Sequence, residues 1–84
     1  MKIVIEDFMT QSLKLSGNEL VLFAIFWRES NGGKNEVKLD YTRFPADMGV
    51  SLPTLYNCLR KLVERGYIVE KYKGVYVVDE ICKR

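Results

Sequence analysis

The chain has 84 residues, with 13 Lys and Arg against 11 Asp and Glu, a net charge of +2, and no histidine. That length holds one domain. A composition 48% hydrophobic and 29% charged is that of a globular protein and not of a disordered one, and the mildly basic balance permits a polyanionic partner without demanding one.

The only cysteines are Cys58 and Cys82, which form no Cys-x-x-Cys pair. With no histidine beside them, a structural zinc site lacks its four ligands, so no metal is expected. Two isolated thiols point to reduced cytosolic cysteines. After Met1-Lys2 only Ile3-Val4-Ile5 is apolar before Glu6 and Asp7, too little for a secretory leader. The longest apolar run, Leu20 to Trp27, falls well short of the roughly 20 residues that span a bilayer. The expected location is the cytoplasm or nucleoid, with no membrane partner.

In chain order, Lys2 to Glu6 is β-prone and short, and Asp7 to Leu13 holds at most a turn of helix. Ser16 followed three residues later by Glu19 fits a capping box, and it opens a helix over 17–29. A buried strand is the other reading of Leu20 to Trp27, and the cap and the length favour helix. This helix is apolar on every side. Either the N-terminal segment folds over it or one face packs on a second subunit, hence an expected homodimer through the 17–29 helix and N-terminal segment. Trp27 and its neighbours read as core or dimer interface in preference to a ligand pocket. Ser30-Asn31-Gly32-Gly33-Lys34-Asn35 is a loop.

Glu36 to Leu39 alternates polar and apolar, as a short half-buried strand does. Tyr41 to Met48 is a short helical stretch ended by Gly49, capped by Asp40 or Thr42, with Pro45 tolerated in its first turn. Ser51 caps another helix, with Pro53 in the first turn and Gly66 beyond the end. On it Leu55, Cys58, Leu59 and Leu62 share one face. Thr54, Tyr56, Asn57, Arg60, Lys61 and Glu64 occupy the other. Tyr67 to Tyr72 and Val75 to Val78, around Lys73-Gly74, read as a β-hairpin. Asp79 to Arg84 is a polar tail expected to fray.

A short helix, the turn Gly49-Val50-Ser51, a capped amphipathic helix and a hairpin make a helix-turn-helix candidate. The stretch Ala46-Asp47-Met48-Gly49-Val50-Ser51-Leu52-Pro53-Thr54-Leu55-Tyr56-Asn57-Cys58-Leu59-Arg60-Lys61-Leu62-Val63-Glu64-Arg65-Gly66-Tyr67-Ile68 resembles the winged helix-turn-helix family of DNA-binding domains. That family's pattern is an Ala-x-x-x-Gly-Val-Ser turn and a helix leaving through Leu-x-x-x-Gly-Tyr/Leu-Ile, and here its first half is shortened. The likeness covers roughly residues 16 to 78. It implies an α+β fold with a three-helix core, a helix-turn-helix at about 40–66 and a wing at about 67–78. Leu13-Lys14-Leu15-Ser16-Gly17-Asn18-Glu19-Leu20 is similar to the opening of winged-helix domains in phage and plasmid replication initiators and related mobile-element regulators. Because the sequence ends directly after the hairpin, a stand-alone transcriptional regulator is the expectation ahead of an initiator.

A recognition helix places its exposed N-terminal residues against base edges in the major groove. Here those are Leu52, Pro53, Thr54, Tyr56 and Asn57. The Asn57 amide suits bidentate pairing with adenine, and Leu52 suits a thymine methyl. For Tyr56, contact with DNA and packing on the preceding helix stand at even odds. Arg60, Lys61, Lys71 and Lys73 are assigned to phosphates. From Ser51 to Lys73 five cations face two carboxylates, a local excess of three against +2 for the whole chain. Cys58 reads as a small buried hydrophobe and not as a redox sensor. No histidine is present to act as general base, no Gly-rich phosphate loop follows a strand, and no carboxylate pair is convincingly placed. No catalytic residue, cofactor or enzymatic activity is therefore expected. A protein-interaction adaptor and an accessory replication protein of a mobile element remain as alternatives to sequence-specific binding of double-stranded DNA.

Overall fold

The helix α2 (Gly17–Glu29) is the centre about which the rest of the chain is arranged. In the computed structural model, which describes residue 3 and residues 5–79, the other elements are α1 (Asp7–Gln11), β1 (Val37–Lys38), α3 (Arg43–Met48), α4 (Leu52–Glu64), β2 (Ile68–Tyr72) and β3 (Val75–Val78). The described residues thus form a small α+β unit of four helices and one antiparallel three-stranded sheet in the order β1-β3-β2. None of these helices is long and apolar enough to cross a membrane.

The apolar character of α2 is explained by how it is covered. Leu22, Phe23, Ala24, Ile25 and Phe26 are all buried, so no side of the helix is left as a wholly solvent-facing stripe. Phe23 meets Phe8 edge-on at 6.3 Å and Tyr67 at 6.2 Å, while Phe26 meets Phe44 at 5.8 Å and Tyr76 at 5.7 Å. Aromatic pairs at these separations add to the area they bury. Of the two ways of covering the helix, the N-terminal segment supplies one. Met9 and Leu15 are buried, and the half-buried Trp27 lies under Phe8 at 4.9 Å. The Tyr67 hydroxyl donates to the Leu13 carbonyl at 2.6 Å, tying that segment to the exit of α4.

Several local expectations are revised. Residues 3, 5 and 6 form no strand, and residues 1, 2 and 4 lie outside the described residues. The Glu6 carbonyl accepts from Met9 N–H at 3.0 Å, so the backbone is already turning into α1. Ser16 stands at the N-cap of α2 with extended backbone, but its side chain makes no capping bond. The box is not closed, because Glu19 faces Arg65 at the end of α4 instead, at 3.3 Å. Ser51 likewise precedes α4 without capping the backbone; its hydroxyl meets that of Thr54 at 3.1 Å. Asp40 is the working cap of α3, accepting from Thr42 N–H at 2.9 Å and Arg43 N–H at 2.7 Å. The regular helix is Arg43–Met48, and Asp40 caps the turn at Tyr41 and Thr42 that leads into it, with Phe44 N–H bonded to the Asp40 carbonyl at 3.1 Å; Pro45 sits in the first turn of α3.

Gly49 ends α3 at φ 71°, a left-handed conformation that suits glycine. Val37 is buried and Lys38 exposed, as the alternation required, but β1 is only those two residues. It pairs with β3, which makes β3 the central strand and β2 an edge. The hairpin register is interrupted between Glu70 and Tyr72, where one strand carries an extra residue. The tail from residue 80, with Cys82, lies outside the described residues.

Candidate nucleic-acid interface

The helix α4 divides cleanly into two faces. Leu55, Cys58, Leu59 and Leu62 recur at three- and four-residue intervals and are buried against α2 and the sheet. The surface turned outward carries Leu52, Pro53, Tyr56, Asn57, Arg60, Lys61, Val63 and Glu64, all exposed. Leu52 and Tyr56 are 40% and 47% accessible, large apolar side chains left in part to solvent. Thr54 is the one expected reader that is half-buried, with its hydroxyl engaged by Ser51. Gly49, Val50 and Ser51 are all that separates α3 from α4, so α3 fixes where α4 begins.

Tyr56, Asn57 and Arg60 come together along a groove of about 420 Å³ between α4 and the hairpin, completed by Leu59, Val63, Glu64, Glu70 and Tyr76. Arg60 donates to the Asn57 side-chain oxygen at 3.3 Å and lies 3.9 Å from Glu64. The Asn57 amide is thereby oriented, with its nitrogen left to donate outward. Thr54 and Lys61, seven residues apart, share one line of the helix that does not enter this groove. The Tyr56 ring lies 5.9 Å from that of Tyr41, in the segment before α3. Partial burial first, then the Tyr41 hydroxyl, raise the Tyr56 phenol above its ordinary range.

The basic residues are less concentrated in space than along the chain. Lys71 is held by Glu36 at 2.7 Å, and that hydrogen bond and charge raise its ammonium above the usual lysine range. Arg65 is held by Glu19. Once Glu19 and Glu36 are drawn to this surface, the five cations of the 51–73 stretch face four carboxylates, an excess of one where the sequence window alone had three. Lys61 and Lys73 are exposed and make no ion pair among the described residues. Lys71, expected at a phosphate from its place in the hairpin, makes a surface pair with Glu36 whose side chains are both about half accessible.

Three residues at this surface escaped the sequence reading. Glu70 follows Ile68 by two positions in β2, and that alternation signals the inward face of the hairpin. There it accepts from Gly74 N–H at 3.2 Å and bonds the Tyr76 hydroxyl. Burial, then the charge and hydrogen bond of Glu70, push the Tyr76 phenol up to about 12. Tyr41 carries no signal in one dimension, because its contacts lie on other elements. Burial raises the Cys58 thiol, Glu19 adds to this and Lys61 opposes it, so the group is the reverse of an activated thiolate. Among the described residues no three of Cys, Asp and Glu gather as a metal site would require.

No protein-family model, no curated protein and no solved structure matches this chain.

Proposed function

We propose that the chain is a winged helix-turn-helix domain that binds double-stranded DNA sequence-specifically as a transcriptional regulator, with α4 in the major groove and the β2–β3 hairpin on the backbone. One observation carries this reading. The outward face of α4, exposed from its first residue and bearing an oriented amide at Asn57, follows α3 after a three-residue turn and adjoins a hairpin tipped by an unpaired lysine. A helix of this kind fits the major groove, and its first turns are the part that meets base edges.

In this reading Leu52, Pro53, Tyr56 and Asn57 contact bases, while Arg60, Lys61 and Lys73 contact phosphates. The modest net charge implies that affinity depends on base contacts more than on the phosphate field. A homodimer remains part of the proposal, because two-fold symmetry places two such helices in successive grooves. Its interface would use what α2 and the N-terminal segment leave half-exposed, such as Leu20 and Val21. Light scattering at high protein concentration reads this directly, and monomer alone would remove it.

The test is titration of labelled duplexes, selected from a random pool, at several salt concentrations. Selective binding is expected, with a log–log salt slope of roughly −2 to −4 per subunit from two to four phosphate contacts. The spacing of the enriched half-sites then reports whether one subunit or two are engaged. Absence of binding at low salt would overturn the proposal and leave a protein partner as the next object of search.

A further inference from the structure

Tyr41 belongs to neither helix of the α3–α4 pair and is 49% accessible, yet it packs on α4 and lies beside the hairpin tip. Its ring packs on Tyr56 of α4 at 5.9 Å and 43°. Its hydroxyl stands 3.8 Å from the point a Cβ on Gly74 would occupy, at the tip of the hairpin. Two hydrogen bonds tie that tip down. Leu39 N–H, two residues before Tyr41, donates to the Gly74 carbonyl at 2.8 Å, and Gly74 N–H donates to Glu70. A two-stranded hairpin is marginally stable alone, so the direction in which Lys73 points is set by what holds the turn.

We infer that Tyr41 is a positioning residue that locks the hairpin tip, with Lys73, to the reading face of α4, so that the phosphate contact of Lys73 and the base contacts beside Tyr56 are coupled. This rests on the DNA-binding reading above and adds to it a residue that belongs to none of α3, α4, β2 and β3. The Tyr41 ring bridges two elements that otherwise face each other across the groove lined by Glu64 and Glu70. Carboxylates there repel a phosphate backbone, so contact with DNA does not by itself draw the tip to α4, and the Tyr41 ring adds to the two hydrogen bonds at the turn. A tyrosine does this at low entropic cost because its side chain has few rotors.

The experiment compares the wild type, Tyr41→Ala, Lys73→Ala and the double variant on the duplex selected with the wild type, each across a salt series. Lys73→Ala should flatten the slope by about 0.9, the value of one phosphate contact. Tyr41→Ala removes no charge, yet it should flatten the slope similarly and weaken binding by about threefold to tenfold. The double variant should be no worse than the more damaging single one. In the free protein, amide exchange at Leu39 and Gly74, whose N–H groups are bonded at the tip, should quicken about threefold or more in Tyr41→Ala. Tyr41→Leu, which keeps bulk but cannot reach the turn, serves the same comparison should alanine lower the Tm. An unchanged slope, unchanged exchange or strictly additive losses in a wild type that binds DNA would overturn the coupling and leave the DNA reading standing. A wild type that binds no duplex removes the DNA reading first and the coupling with it.

Discussion

The helices α2 and α4 are both 13 residues long and use their residues in opposite ways. A continuous run, Leu22 to Phe26, is buried in α2, and α1, α3, α4 and the sheet cover it from different directions. In α4 only the four residues of one stripe are buried, and the outward face holds Leu52, Tyr56 and Val63 among its polar neighbours. An 84-residue chain cannot afford two helices buried all round, because small domains have too little chain to cover them. One helix therefore acts as the post on which the fold is built, and the other is presented. The comparison separates stability from recognition, and mutations in the two helices should separate them too.

The largest effect is expected in α2. Phe23→Ala should destabilise the fold by about 3–5 kcal/mol, since it empties a site shared by Phe8, Trp27 and Tyr67. Urea denaturation reads this directly. A loss below about 1 kcal/mol would mean that α2 is not the post.

Asn57→Ala on α4 should do the reverse. Stability should stay within about 0.5 kcal/mol of wild type, while discrimination against a changed base pair falls by about 1–3 kcal/mol. Competition titrations with single-substituted duplexes measure it, and equal losses on all duplexes would reassign Asn57 from base reading to backbone contact.

A smaller change tests how α3 aims α4. Asp40→Ala strips the acceptor from Thr42 and Arg43 N–H and should cost about 1 kcal/mol of stability. Amide exchange in α3 should rise with it. The pair between Arg65 and Glu19 joins the ends of the two long helices, but it is surface-exposed. Glu19→Gln should therefore alter stability by about 0.5 kcal/mol or less and less still in high salt.

The last effect is read at alkaline pH. The Tyr76 phenol is raised from 10.0 to about 12 in the fold, so its neutral form is the one the native state favours. The stability that follows is fully present below pH 10 and is lost as pH rises through about 12. Tyr76→Phe should flatten that alkaline limb, and a denaturation series from pH 9 to 12 would show it. An unchanged limb would mean that Glu70 and burial do not act on Tyr76 as the geometry requires.

Much of this arrangement is legible in one dimension. The bounds of α2, the buried stripe of α4, the hairpin around Lys73-Gly74 and the left-handed Gly49 all follow from local rules of periodicity, turn chemistry and backbone sterics. Leu52, Pro53, Tyr56, Asn57, Arg60 and Lys61 are exposed because helical spacing alone puts them opposite the stripe.

What only the tertiary structure decided concerns partners distant in sequence. Glu19 leaves its expected cap for Arg65, and Glu36 pairs with Lys71. The charge excess shrinks because residues far apart along the chain are neighbours in space. The covering of α2 by the N-terminal segment and the meeting of Tyr41 with Tyr56 and Gly74 are of the same kind. Local pattern fixes which face of a helix is apolar, since that depends on spacing of a few residues. Which side chain then meets that face, or that charge, depends on how the chain closes upon itself, and no short-range pattern encodes it.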